Sequence, residues 1–197
     1  MQSTAGINQE LVDRFVGAAH GNLDALSAML EANPDLLNAR SSQDETALGA
    51  AAHMGRRKIA EFLLERGAPL DICTAAVLGK RGEVAEMLSA DPSQAQQAGS
   101  HGIPLMFHAA LGGDLEIARI LVENGADLNA GDGLNTALHA AVLMNKADVA
   151  EWLLSHGANP ELKDYAGKTP LEVAIEMKRT AVEDVLRRST AKASAGN

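Results

Sequence analysis

The stretch Asp164-Tyr165-Ala166-Gly167-Lys168-Thr169-Pro170-Leu171-Glu172-Val173-Ala174 decides the fold, because the chain contains further versions of it. Asn135-Thr136-Ala137-Leu138-His139-Ala140-Ala141 has the same form, with Thr136 in the place of Thr169. A third version is Glu45-Thr46-Ala47-Leu48-Gly49-Ala50-Ala51. Each opens an apolar helix that is followed by a second one. The interval from Thr136 to Thr169, roughly 33 residues, together with this phrase predicts stacked helix-turn-helix repeats.

Six such units are predicted, and the landmark of each is the residue that ends its first helix in a left-handed turn. Glycine stands there in the first four units, at Gly21, Gly55, Gly79 and Gly112-Gly113, whereas Asn145 and Lys178 replace it in the last two. The units lie near residues 8–38, 39–69, 70–98, 99–131, 132–164 and 165–188, within one domain spanning 8–190. The segments 1–7 and 191–197 are predicted to be disordered.

These motifs together resemble the bacterial-type ankyrin repeat family over residues 8–190 or so. The resemblance implies an all-α ankyrin-repeat solenoid of about six helix-turn-helix units with short β-turn fingers. It implies a non-enzymatic protein that binds a partner protein through its concave face, without a cofactor. In the family pattern, the side chain of His139 links adjacent turns by hydrogen bonds. Residues 8–20 and 178–188 are then expected to cap the two ends.

Two spacings depart from the period. Gly55 and Gly79 are separated by clearly less than one full period, and the connection 67–72 runs straight into the next helix. The finger between the second and third units is therefore predicted to be missing, which leaves a notch in the concave rim. By contrast, an Ala-Asn-Pro and an Ala-Asp-Pro step, at 32–34 and 90–92, lengthen the turns that end the first and third units.

The bulk composition excludes several classes of function. The net charge is −9, with 26 acidic and 17 basic residues, and the acidic excess lies in the N-terminal two-thirds of the chain. Nucleic-acid binding needs a basic stripe, and none is present. The single cysteine, Cys73, allows no intramolecular disulfide and is interpreted as a buried, inert thiol. Neither a secretory signal nor a membrane-spanning stretch is recognisable, so we expect a cytoplasmic protein that is monomeric when unbound.

The sequence contains no recognisable catalytic residue and no recognisable metal site. The six histidines form no H-E-x-x-H motif and no spaced Cys/His set. His20 and His53 occupy equivalent positions in successive units, which predicts a separation of roughly 10 Å, too far to share a metal ion. No phosphate-binding glycine run is present, and no pair of catalytic carboxylates can be named.

One pattern does point to a binding surface. The residues before the inter-helix turn form an apolar, Met-rich line through the middle of the array, and finger residues flank it. Methionine at exposed positions adapts to irregular partner surfaces, and an exposed apolar strip usually marks a contact. The alternative is that these side chains pack against the next unit. The candidate partner-binding residues are Glu45, His53, Met54, Val77, Leu78, Leu111, Asp132, Asn135, Leu143, Met144, Tyr165, Lys168 and Met177.

Three functions are compatible with the sequence. The first is a protein–protein interaction module that binds its partner through the concave face. The second is a dedicated inhibitor or immunity protein of one enzyme or toxin, for which the acidic charge would favour a basic target. The third is an enzyme or a small-ligand binder that uses the concave groove.

Overall fold

The computed structural model describes residues 7–195, which form helical hairpins. This part of the chain confirms the all-α repeat architecture, since twelve α-helices follow one another in six pairs. The first four helices are α1 (Gln9–Ala18), α2 (Leu23–Ala32), α3 (Ala47–His53) and α4 (Arg57–Glu65). They are followed by α5 (Ile72–Leu78), α6 (Arg81–Ala90), α7 (Leu105–Gly112) and α8 (Leu115–Glu123). The last four are α9 (Ala137–Leu143), α10 (Ala147–Ser155), α11 (Pro170–Glu176) and α12 (Thr180–Ala195).

The first helix of each pair packs directly against the first helices of the neighbouring pairs. Their alanines make this close approach possible, because Ala50, Ala75, Ala109 and Ala140 are almost completely buried. Gly112 shows how little room there is: a Cβ atom on it would lie 2.6 Å from the carbonyl oxygen of Ala76. The first helices therefore form a tight inner row, and the second helices bury leucines and valines behind it.

The inter-helix turns follow the predicted pattern in five of the six units. The backbone has a positive φ at Gly55, Gly79, Gly113, Asn145 and Lys178. Such a φ ends a helix in the left-handed conformation that glycine and asparagine tolerate best. Gly21 is not among the residues with positive φ, so the left-handed turn predicted for the first unit is wrong.

The fingers are short turns that isolated β-bridges hold together. Arg40 pairs with Thr46, and Ala98 pairs with Pro104. Between α4 and α5 the chain passes through residues 66–71 without a bridge, which confirms the missing finger. A cavity of about 380 Å³ occupies the resulting notch, between the finger at 40–46 and the finger at 97–101.

The two termini differ from expectation. Helix α12 continues through residues 191–195, so the disorder predicted for the tail is wrong over that range. The last two positions, 196 and 197, lie outside the described part of the chain. The same holds for 1–6 of the N-terminal segment predicted to be disordered, whereas Ile7 packs against the N-terminal core. No helix within residues 7–195 is both long and apolar enough to span a lipid bilayer.

Candidate functional site

Seven of the predicted partner-binding residues line a groove of about 660 Å³ along the inner row of helices. We call it the inner groove. Fingers form one wall, and the ends of α3, α9 and α11 form the other. The seven residues are His53, Met54, Asn135, Leu143, Tyr165, Lys168 and Met177.

The inner groove presents apolar side chains to solvent. Tyr165 is 77% exposed, and Met54, Leu134 and Met177 are 40%, 39% and 38% exposed. Phe107 lies beneath them, almost fully buried, as part of the groove floor. An exposed apolar patch with aromatic and methionine side chains is typical of a surface that contacts another protein.

Three residues of the predicted strip do not belong to this surface. Val77, Leu78 and Leu111 are 1%, 8% and 4% exposed, so the expectation that they line the concave face is wrong. The cause is the tight packing of α5 and α7. A Cβ atom built on Gly55 would lie 3.2 Å from Cδ2 of Leu111, so the Leu111 side chain lies close against the α3–α4 turn.

Three further predicted residues lie elsewhere. Asp132 is exposed on a finger, where its Oδ1 accepts a hydrogen bond from the backbone N–H of Lys163. Met144 is 40% exposed at the end of α9, but it does not line the inner groove. Glu45 is only 4% exposed and faces histidines instead of flanking an open surface.

Sequence reasoning missed other residues that line the inner groove. They are His101, Ile103, Phe107, Leu134, His139, Asp164, Ala166, Val173 and Glu176. Leu134 carried a usable signal, because it is an apolar residue within the polar finger sequence Asp132-Gly133-Leu134-Asn135. The sequence contains no comparable signal for Ile103 and His101, since their position depends on how the fourth unit's finger folds.

The polar groups of the inner groove are largely paired with one another. The ammonium group of Lys168 forms an ion pair with Glu176. Oδ1 of Asp164 accepts hydrogen bonds from the backbone N–H groups of Ala166 and Lys168, at 2.9 and 2.8 Å. These groups shape the wall and are not arranged around a reacting centre.

His139 acts as a structural link between neighbouring units. Its Nδ1 accepts from the backbone N–H of Thr136 at 3.2 Å, so the other ring nitrogen carries the proton. Nε2–H then donates to the carbonyl oxygen of Lys168 at 3.0 Å. Burial lowers the pKa of His139, which favours this neutral form.

A cluster of histidines surrounds Glu45 at the edge of the notch. His53 Nδ1 lies 3.0 Å from Oε1 of Glu45, and His101 Nε2 lies 3.3 Å from Oε2. His20 Nε2 is 3.9 Å from Oε2. The ring centroids of His20 and His53 are only 5.3 Å apart, so the prediction that these two histidines are one helix spacing apart is wrong. The two rings converge because both lie at the ends of adjacent first helices, which the alanines bring close together.

Glu45 remains charged despite its burial. Burial raises the pKa of its carboxyl group, but the contacts with His53, Ser100 and His101 outweigh that effect, and the net pKa is lowered. His101 and Ser100 come from the finger of the fourth unit. They reach Glu45, on the finger of the second unit, because the third unit has no finger between them.

His108 and Cys73 are two buried groups beneath the notch. Nδ1 of His108 lies 2.9 Å from the carbonyl oxygen of Pro104, and burial lowers the pKa of His108 to about 4. Burial also raises the pKa of the Cys73 thiol well above its usual range. A neutral, buried thiol is a poor nucleophile, which agrees with the interpretation of Cys73 as inert.

The buried His108 predicts a pH dependence of stability. Its folded-state pKa of about 4 lies below the ordinary value of 6.5, so the unfolded chain takes up the proton first as the pH falls. The stabilising contribution is complete above about pH 7.5 and is lost between about pH 6.5 and 4. Between pH 7.5 and 5 the wild type should lose about 2 kcal/mol more unfolding free energy than His108→Leu, which does not titrate. Urea titrations of both proteins at the two pH values measure this difference, and equal losses would contradict it.

The fold and the site define a repeat protein with an exposed inner groove, and comparisons with known proteins give its family. Two ankyrin-repeat family profiles match, "Ankyrin repeats (many copies)" over residues 15–64 and "Ankyrin repeats (3 copies)" over 72–164. The solved structure of an ankyrin repeat domain from Acinetobacter baumannii AYE is similar, with 26% identity and a TM-score of 0.52. It aligns with 90% of this chain and 97% of that one. The chain is therefore an ankyrin repeat protein.

The curated relatives are similar to this chain over only part of their own length. Human NF-kappa-B inhibitor alpha is 41% identical over 76 residues, which are 38% of this chain and 24% of that protein. The I-Kappa-B like protein C2 of Microplitis demolitor bracovirus is 38% identical over 76 residues, covering 37% of this chain and 42% of its own. Human SH3 and multiple ankyrin repeat domains protein 2 is 31% identical over 149 residues, which are 71% of this chain and 8% of that protein. The chain thus spans less than half the length of each of these relatives. Ankyrin repeats generally act as interaction scaffolds, which supports a protein–protein interaction module.

Proposed function

We propose that this protein is a non-enzymatic interaction module that binds a partner protein through the inner groove. The single observation that carries the proposal is the exposed apolar surface formed by Met54, Leu134, Tyr165 and Met177. Leaving such side chains in water forgoes stabilisation that burial would give, roughly 25 cal/mol per Å² of apolar area. A partner that covers them recovers this free energy.

A protein fits this groove better than a small substrate does. The groove is an open channel between fingers and helices, and its charged groups are already paired within the chain. Catalysis or tight small-ligand binding needs polar groups that converge on one position and remain available. The available surface is instead apolar and rimmed by polar residues, as in the centre of a protein interface.

A dedicated inhibitor is the second candidate, and two observations favour it. Two of the relatives carry inhibitor or I-Kappa-B in their names. The net charge of −9 would also steer a basic target towards this chain. Under this alternative the partner is a single basic enzyme or toxin bound in a one-to-one complex, and its association rate falls steeply with added salt.

The test uses two neighbouring apolar residues at the end of α11. Met177 lines the inner groove, whereas Ile175, which is 46% exposed, does not. We expect Met177→Glu to weaken partner binding by a few kcal/mol, because a charge at the centre of an apolar interface is left unpaired. Ile175→Glu should bind like the wild type.

The measurement is affinity capture from lysate of the source cells, followed by titration of the captured partner with each purified variant. Thermal melting of both variants confirms that they are folded. A partner that binds Met177→Glu normally but fails to bind Ile175→Glu would place the interface elsewhere. One captured protein in stoichiometric amount would favour the inhibitor alternative, and several weak partners would favour a general module.

A further inference from the structure

Glu45, His20 and His53 have the composition and spacing of a metal-ligand set. One ligand atom from each of Glu45, His20 and His53 lies within 4.8 Å of the others. His101 borders this set, with its Nε2 3.3 Å from Oε2 of Glu45, but it is not one of the three mutually close ligands. In a tetrahedral zinc site with bonds of about 2.0–2.1 Å, neighbouring ligand atoms are separated by about 3.3 Å. The separation between Nε2 of His20 and Oε2 of Glu45 is 3.9 Å, close to that value.

Glu45 itself provides the second observation. Its side chain is 4% exposed, and no residue in the described range 7–195 donates a well-aligned hydrogen bond to its Oε1. His53 Nδ1 is 3.0 Å from this oxygen, but it also lies 3.2 Å from the carbonyl oxygen of Gly49. A buried carboxylate oxygen without a hydrogen-bond donor is costly, and a bound cation would satisfy it.

His20 is oriented as a metal ligand is. Nδ1 of His20 lies 3.3 Å from the carbonyl oxygen of Gly17, so its Nε2 can keep a free lone pair directed towards Glu45. A backbone carbonyl that accepts from one ring nitrogen fixes the tautomer in which the other nitrogen binds metal. Nε2 of His101 also faces the carboxylate, and its backbone has a φ of 58°. Left-handed backbone at a non-glycine residue is strained and is often found at functional sites.

The site can also be reached from solvent. His20 and His101 are 39% and 40% exposed, whereas His53 and Glu45 are largely buried. An ion would therefore enter from the exposed side and meet the carboxylate at the bottom.

We propose that Glu45, His20 and His53 form a binding site for a divalent transition-metal ion, with Zn²⁺ as the best match and water in the fourth position. Imidazole nitrogens with one carboxylate are ligands that zinc accepts in tetrahedral geometry, whereas Mg²⁺ and Ca²⁺ prefer oxygen ligands. The proposal does not depend on the partner protein, because the site is complete within this chain.

The experiment is calorimetric titration of the untagged, chelator-treated protein with ZnCl₂ at pH 7.5, combined with Co²⁺ absorption spectroscopy. We expect one ion per chain, a higher melting temperature with zinc that a chelator reverses, and the intense ligand-field bands of tetrahedral Co²⁺. Binding should be weaker at acidic pH than at pH 7.5, because protons compete with the metal for the ligand lone pairs.

Three variants identify the ligands. Glu45→Gln and His53→Gln should each lower zinc affinity at least tenfold and abolish the Co²⁺ bands. His156→Gln is the matched control, since His156 is exposed and stacks on Trp152 outside the cluster; it should bind zinc like the wild type. Melting curves without metal show whether each variant is folded. The proposal fails if the wild type does not bind zinc stoichiometrically. It fails equally if both cluster variants, or the folded one of the two, bind zinc as the wild type does.

Discussion

Truncation after Gly167 should abolish the soluble, folded protein. It removes α11 and α12, and with them the buried side chains of Val173, Val182, Val185 and Leu186. Each such side chain contributes roughly 1.5–3 kcal/mol through burial. Because the stability of a whole domain is about 5–15 kcal/mol, the loss is a large part of the total.

The truncation also damages the unit that remains. It exposes apolar side chains of α9 and α10 and removes the carbonyl oxygen of Lys168, which pairs with His139. Terminal units of a repeat array are needed to cover its core.

A shorter deletion serves as the control for this truncation. A chain ending at Ser189 keeps Leu186 and should melt like the full-length protein. Soluble yield and circular dichroism of both proteins give the measurement. If the chain ending at Gly167 stays soluble with an unchanged melting temperature, α11 and α12 are not a structural cap.

Leu78→Glu should unfold much of the population, whereas the same change at Met144 should have little effect. Leu78 is 8% exposed at the end of α5. Glutamate there forfeits the burial of leucine and places a carboxyl group in an apolar environment, at a combined cost of at least about 3 kcal/mol. Met144 occupies a comparable place at the end of α9 but is 40% exposed, so its replacement should cost under about 1 kcal/mol.

Denaturant titration of the two variants beside the wild type measures both effects. The sequence pattern treats the two positions alike, since each precedes the inter-helix turn. Equal losses of unfolding free energy would show that the difference in exposure has no energetic consequence. A large loss of unfolding free energy for Met144→Glu alone would show that Met144, and not Leu78, is the buried side chain.

The repeat period was readable from the sequence because it depends on local chemistry. Thr46, Thr136 and Thr169 cap the starts of α3, α9 and α11. These caps, the paired alanines and the residue at the turn each determine the structure of a few neighbouring residues. The missing finger was readable for the same reason, since the short interval between Gly55 and Gly79 leaves no room for it.

The exposure of side chains along the inner row could not be predicted from the sequence, because it depends on how closely neighbouring units pack. Leu78 and Met144 differ in exposure although their local sequences are alike. The position of His101 depends on the missing finger, which lets the fourth unit's finger approach that of the second. His20 and His53 were predicted at the spacing of helix axes, but side chains can converge where axes do not.

Binding through the inner groove can be tested most directly by NMR of ¹³C-methyl-labelled methionine as the captured partner is added. Met54 and Met177 line the inner groove, whereas Met29 and Met87 lie on α2 and α6, in the outer row. All four are at least partly accessible, so each can report contact. We expect the signals of Met54 and Met177 to shift or broaden in proportion to bound partner, while those of Met29 and Met87 stay in place. Changes confined to Met29 and Met87 would contradict binding through the inner groove.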